Sequence, residues 1–270
     1  MASTLRQPAV AGYFYPGKKD VLLREVTQYT SAAGDKIRAL GCVVPHAGYM
    51  YSGHVAGAVF ARLELPRRFI ILCPNHTGRG EPLAVMSEGN WLTPLGEVAI
   101  DRELAAQLKQ NFKLLSEDAD AHMGEHALEV QLPFLQHLAG TFTFVPITVG
   151  VGNYSVLAAL GEAMATTLAG VEEPVLIVAS SDMNHYESDA RTRVKDRKAI
   201  DQLLALDPRG LYDVVTGEDI SMCGFGPAVA MLTAAKRRGA TSAELVKYAT
   251  SGDITGDRDK VVGYAGVVVS

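Results

Sequence analysis

The chain is short of several things. It has only three cysteines and one tryptophan in 270 residues. So few cysteines, and an odd number, make no disulfide framework in a chain this long; the expectation is a reducing, cytoplasmic setting. No apolar run approaches the roughly 20 residues of a membrane span, so no membrane partner is expected. The N-terminus lacks a basic stretch followed by an apolar one, so no secretory signal is expected. Lysine and arginine form no run or stripe, and the net charge is −5, which argues against a nucleic-acid partner. No glycine-rich dinucleotide fingerprint follows any apolar run. No linker, repeat or low-complexity tract divides the chain, so one domain over residues 1–270 is expected.

What is present is an ordinary globular composition, 48% hydrophobic and 20% charged. A chain of this size buries a core without disulfides or structural metal. Its organising feature is a pattern that occurs three times. Cys42, Val43 and Val44 form an apolar run that ends at Pro45 and presents His46. Residues 69–73 repeat this, ending in Pro74-Asn75-His76, and residues 175–179 run into Ser180-Ser181-Asp182-Met183-Asn184-His185. A continuous apolar run bounded by turn residues reads as a strand covered on both faces. Proline, with no amide hydrogen, ends the ladder. Chemistry in an open α/β sheet sits where such strands end. A helix of small residues is expected over 52–60, with His54 on it as a surface or packed histidine.

The rest of the chain alternates similarly. The arm at residues 6–17 is aromatic and turn-rich, and is expected to pack on the body. Gly12 to Lys18 approaches a phosphate loop, but Lys19 stands where a magnesium-binding Ser or Thr belongs and no strand precedes it. Asp20 and Asp101 read as helix N-caps. Residues 83–86, 98–100, 142–149, 244–248 and 261–269 read as strands; 156–168, 188–206 and 229–235 read as helices. Glu125 is expected to open a helix that Pro133 kinks or shortens, with His122 before it and His126 in its first turn. Residues 252–259 carry carboxylates without the spacing of a calcium loop and read as a solvated turn.

Imidazoles suit zinc, copper and iron. Cys223 lies in the glycine-rich turn Met222-Cys223-Gly224-Phe225-Gly226-Pro227 before a helix, where the dipole is expected to lower its thiol pKa and favour the metal-binding thiolate. Cys42 and Cys73 lie inside apolar runs and read as core residues. A serine-nucleophile reading of Ser180, Asp182 and His185 fails on sequence, because the nucleophile-elbow pattern is missing.

Several stretches together resemble the Memo-like family, also labelled AmmeMemoRadiSam system protein B and related to the class III extradiol dioxygenases. They are Pro8-Ala9-Val10-Ala11-Gly12-Tyr13-Phe14-Tyr15-Pro16, Pro45-His46-Ala47-Gly48-Tyr49, Pro74-Asn75-His76, Thr93-Pro94-Leu95-Gly96, Glu125-His126-Ala127-Leu128-Glu129, Ser180-Ser181-Asp182 with His185, and Met222-Cys223-Gly224. The resemblance implies an α/β fold, a central mixed sheet with helices on both faces, like that of those dioxygenases. It implies a divalent transition metal, iron or copper ahead of zinc, held by His46, His76 and Cys223. It also implies an acid/base histidine at His185, with Asp182 in the same motif. Cys223 stands where the dioxygenases keep a glutamate ligand, and Thr77 where some relatives have a second histidine. Two functions follow as expectations. One is a mononuclear metal-dependent redox enzyme or oxygenase. The other is a non-catalytic module that uses the pocket to bind a small molecule, peptide or protein partner.

Overall fold

The structure is a computed structural model and describes residues 4–31 and 34–270. In chain order its elements begin with β1 (Leu5–Arg6), α1 (Lys19–Tyr29), β2 (Gly41–Val44), α2 (Tyr49–Arg62), β3 (Arg68–Pro74), β4 (Leu83–Val85), β5 (Asn90–Thr93) and β6 (Gly96–Ile100). There follow α3 (Arg102–Asn111), β7 (Ser116–Glu117), α4 (Asp120–Met123), a 3-10 turn (Glu129–Gln131), α5 (Leu132–Ala139), β8 (Thr143–Val149), α6 (Tyr154–Ala169) and β9 (Val175–Ser180). The chain ends with β10 (His185–Glu187), α7 (Asp189–Leu204), α8 (Pro208–Gly217), α9 (Phe225–Arg237), β11 (Ala243–Thr250), α10 (Ser251–Thr255) and β12 (Val261–Val269).

The apolar runs read from sequence become the middle of one sheet. β8, β3, β9 and β2 lie side by side and run parallel. β12 joins β2 antiparallel, and β11 pairs antiparallel with β12, so the sheet is mixed. Side chains of each strand alternate between two cores. Ile70, Leu72, Ile177 and Ala179 face one, against α3, α6, α7, α8 and α9. Phe69, Ile71, Cys73, Leu176 and Val178 face the other, against α1, α2 and α5. Burial on both faces explains why these strands read as unbroken apolar runs rather than as alternation. Cys42 and Cys73 are fully buried core residues, as expected. Among the described residues no helix is long and apolar enough to cross a membrane.

Four local expectations are corrected. α1 starts at Lys19, and Asp20 lies in its first turn rather than capping it. Glu125 opens no helix: α4 ends at Met123 and α5 begins at Leu132. The Glu125 carboxylate is instead engaged by the backbone amides of His76 and Ala127. Pro133 sits in the first turn of α5, where a missing amide hydrogen does no harm, so it kinks nothing. Residues 252–259 are not wholly a solvated turn, because α10 forms there on a capping box between Thr250 and Asp253. Asp101 does cap α3, its side chain accepting from the Leu104 amide.

Candidate metal centre

β3, β9 and β2 are adjacent and parallel with β9 in the middle, so the segments leaving their carboxyl ends emerge together. His46 follows β2, His76 follows β3, and Asp182 and His185 follow β9. This edge is where open α/β sheets hold ligands. A cavity of about 660 Å³ opens there, lined by His46, His76, Asp182, His185 and Cys223 among others. All five residues singled out in the sequence therefore meet in one pocket.

Cys223 reaches the pocket from the turn before α9. The Ser181 hydroxyl accepts from the Gly224 amide at 3.0 Å and donates to the Asp182 carbonyl at 2.7 Å, which binds this turn to the end of β9. A Cβ at position 224 would lie 2.3 Å from the Ser180 carbonyl oxygen, so only glycine allows the approach. Cys223 Sγ then lies 3.2 Å from His46 Nε2 and accepts from the Asp182 amide at 3.3 Å. One nitrogen of His46, one of His76 and Cys223 Sγ all lie within 4.8 Å of one another.

The histidines are held by their other ring nitrogens. His76 Nδ1 lies 2.9 Å from Glu125 Oε1. A carboxylate only accepts, so His76 carries a proton on Nδ1, and its neutral form has the lone pair on Nε2. His185 Nδ1 donates to the Ser221 carbonyl at 2.8 Å, and its amide donates to Ser221 Oγ at 2.8 Å. Ser221 thus orients His185, although Asp182 lies closer to it in sequence. Asp182 Oδ1 instead accepts from the His46 amide at 2.7 Å and fixes the turn after β2. His46 Nδ1 lies 2.9 Å from Ser180 Oγ.

The electrostatics follow from burial. Burial, with His126, His76 and His185 nearby, holds the pKa of His46 well below its ordinary value. Burial pushes Asp182 up to about 6 against the pull of the His46 and Ala47 amides. Burial, joined by the Asp182 charge, also raises the Cys223 thiol. This runs opposite to the lowering expected from the helix N-terminus. Burial works against charge on both His76 and Glu125, but their hydrogen bond wins: His76 is raised and Glu125 is lowered.

Sequence reasoning left several contributors unassigned. His126 lines the pocket, stacks on His76 at 4.7 Å between ring centroids and meets His46 edge-on at 5.5 Å. Phe14, from the N-terminal arm, packs on His126 at 4.6 Å and forms a wall. The Glu125-His126 pair was a signal that the helical spacing around it concealed. His122 is not a lining residue of this pocket. It is fully buried, edge-on to Trp91, and neither ring nitrogen has a hydrogen-bond partner among the described residues.

Fold and pocket together define an α/β protein with imidazole and thiol groups gathered at the carboxyl edge of its parallel strands. The family model described as Memo-like protein matches residues 6–268, and the chain belongs to the Memo-like family. A MEMO1 family protein of Methanopyrus kandleri is 41% identical, covering 97% of this chain and 98% of that one. Another, of Methanosarcina mazei, is 43% identical, covering 98% of this chain and 99% of its own length. Among solved structures, an uncharacterized protein from Escherichia coli K12 superposes with a TM-score of 0.55 at 12% identity, over 86% of this chain and all of that one. At that identity the likeness is one of fold alone.

Proposed function

We propose that this chain holds one transition-metal ion through His46, His76 and Cys223, and that it is a mononuclear metal-dependent redox enzyme or oxygenase. The observation that carries the reading is the convergence of the donor atoms to within 4.8 Å. Bonds of about 2.0–2.3 Å to a tetrahedral ion put donors roughly 3.5 Å apart. The His46–Cys223 pair at 3.2 Å already meets this. A widest pair near 4.8 Å would have to close by about 1 Å, since the spread expected for a competent site is about 4 Å. Two imidazoles and a thiolate fit iron, copper or zinc. Iron or copper comes first, because zinc has no redox chemistry.

When bound, such an ion supplies Lewis acidity and one-electron chemistry. The chain's own groups do the rest. His185, held by Ser221 through Nδ1, offers Nε2 as a proton acceptor in the pocket. Asp182 fixes the His46 turn and places a carboxyl beside Cys223. Phe14, Tyr51 and Tyr264 supply apolar walls that limit water.

The test is metal content of protein purified without oxygen, beside His46→Ala. The expected result is about one ion per chain in the parent and little in the variant, which should still fold because the core stands without metal. A parent that takes up neither iron, copper nor zinc defeats the reading. A second reading, a binding module without turnover, has support in the aromatic mouth of the pocket, where Tyr186 is 72% exposed. Oxygen consumption with small phenols separates the two.

A further inference from the structure

We infer that Ser180 is a positioning residue that fixes the tautomer of His46, and that Gln131 fills the second lone pair of Ser180. The inference rests on the proposed metal site for its purpose, but not for its geometry. Both side chains are fully buried. Ser180 Oγ lies 2.6 Å from the Ala127 carbonyl oxygen, 2.9 Å from Gln131 Nε2 and 2.9 Å from His46 Nδ1. A hydroxyl has one proton and two lone pairs. The Ala127 carbonyl cannot donate, so the hydroxyl proton goes there. Gln131 Nε2 also lies 2.9 Å from the Pro45 carbonyl oxygen, which fixes the amide with its NH₂ group toward both Pro45 and Ser180. That NH₂ group donates into one lone pair of Ser180. The role left for His46 Nδ1 is to donate into the other.

The consequence lies on the far side of the ring. With its proton on Nδ1, His46 keeps a lone pair on Nε2, which faces Cys223 Sγ at 3.2 Å. His46 is thereby set as a ligand before any metal arrives. A serine hydroxyl does for His46 what the Glu125 carboxylate does for His76, but adds no charge beside Asp182 and Cys223. The arrangement carries a cost: Gln131 Oε1 is buried with no hydrogen-bond partner among the described residues. An apolar residue would avoid that cost but would leave that lone pair of Ser180 unfilled.

The experiment uses metal-free, ¹⁵N-labelled full-length protein, with long-range ¹⁵N–¹H spectra reporting the tautomer of each histidine. His46 is expected to carry its proton on Nδ1 in the parent and in Gln131→Met, where the Ala127 carbonyl still takes the serine proton. Ser180→Ala is expected to release it to a mixture of tautomers. In parallel, zinc alone is titrated into each protein. Affinity is expected to fall about 10–100-fold in Ser180→Ala, the usual effect of removing such a support, and less in Gln131→Met. Ser180→Thr, which keeps the hydroxyl, is expected to retain the parent tautomer. A parent with the proton on Nε2 overturns the inference without any variant having to fold. So does a folded Ser180→Ala that keeps the Nδ1 proton, or one that binds zinc as tightly as a zinc-binding parent. If the parent binds no zinc, iron or copper, the proposed function fails, while the tautomer spectra still decide this point.

Discussion

Replacing Arg6 with methionine tests how the N-terminal arm is held. Arg6 is 1% exposed, and its guanidinium pairs with Glu129, whose side chain is equally sealed from solvent. Arg6 Nε donates to the His122 carbonyl at 3.0 Å and Nη2 to the Glu125 carbonyl at 2.7 Å. The guanidinium also lies 4.1 Å from the centre of the Trp91 ring. Methionine keeps much of the packing and removes the charge. Breaking one side of a buried ion pair costs about 3–5 kcal/mol, and the two abandoned carbonyls add about 1 kcal/mol each. A loss of about 5–7 kcal/mol is therefore expected, read as a drop of roughly 2 M in the urea midpoint at an m-value of about 3 kcal/mol/M. Glu129→Gln on top of Arg6→Met should recover part of it. A neutral amide tolerates the missing cation, and its oxygen still accepts from the Tyr15 hydroxyl, which now lies 2.6 Å from Glu129 Oε1. A loss below about 1 kcal/mol, or double-mutant additivity, would refute the reasoning. The arm also carries Phe14, so the destabilised variant should open the pocket beside His126.

Three other outcomes are expected. Burial pushes Asp196 up to about 7, so it holds a proton in the fold that the unfolded chain loses near pH 4; stability should fall as pH rises from about 4 to 7. Asp196→Asn should flatten that slope, by up to about 4 kcal/mol across the window, in urea unfolding at pH 5 and pH 8; an unchanged slope sinks the assignment. Tyr186 has φ 61° and is 72% exposed, so Tyr186→Gly should raise stability by about 1 kcal/mol in thermal unfolding, while a loss would mean the strain is absent. Cys223→Ser should lose most bound iron, copper or zinc, whereas His185→Ala should keep it and lose any turnover; metal analysis giving the reverse pattern would exchange their roles.

The sequence displays the parts of this site that repeat a local pattern and hides those made by distant contacts. β2, β3 and β9 are legible because burial on both faces leaves unbroken apolar runs. That β9 lies between the other two is not, since strand order is set by how helices cover the sheet. Glu125 was misread because its neighbours share helical spacing, while its carboxylate is taken up by groups 49 positions earlier in the chain. Gln131 draws no notice in the sequence, and Ser180 is weighed there only as a nucleophile, until the fold places Ser180, 134 positions from His46 in sequence, 2.9 Å from it in space. Cys223 enters the pocket from the turn read in the sequence, but its surroundings raise the thiol where a lowering was expected. Position before a helix is visible in sequence, and the neighbouring Asp182 carboxyl that helps raise the thiol is not.

The pocket floor bears on which of the two functional readings the geometry favours. Burial keeps His46 neutral and holds both the Cys223 thiol and the Asp182 carboxyl toward their protonated forms. Among the described residues, no lysine or arginine lines the cavity. The groups gathered there therefore have lone pairs and acidic protons but no fixed positive charge to answer them. A pocket built to hold an anionic ligand would be expected to place a guanidinium or ammonium at this depth. One built only for apolar contact would have little reason to desolvate a thiol, a carboxyl and an imidazole together, since each costs free energy to bury. A cation changes the sign of all three terms: it draws the proton from sulfur, favours the ionised carboxyl, and takes up the imidazole lone pair. The aromatic mouth is compatible with either reading, whereas this floor is consistent with the metal site proposed above.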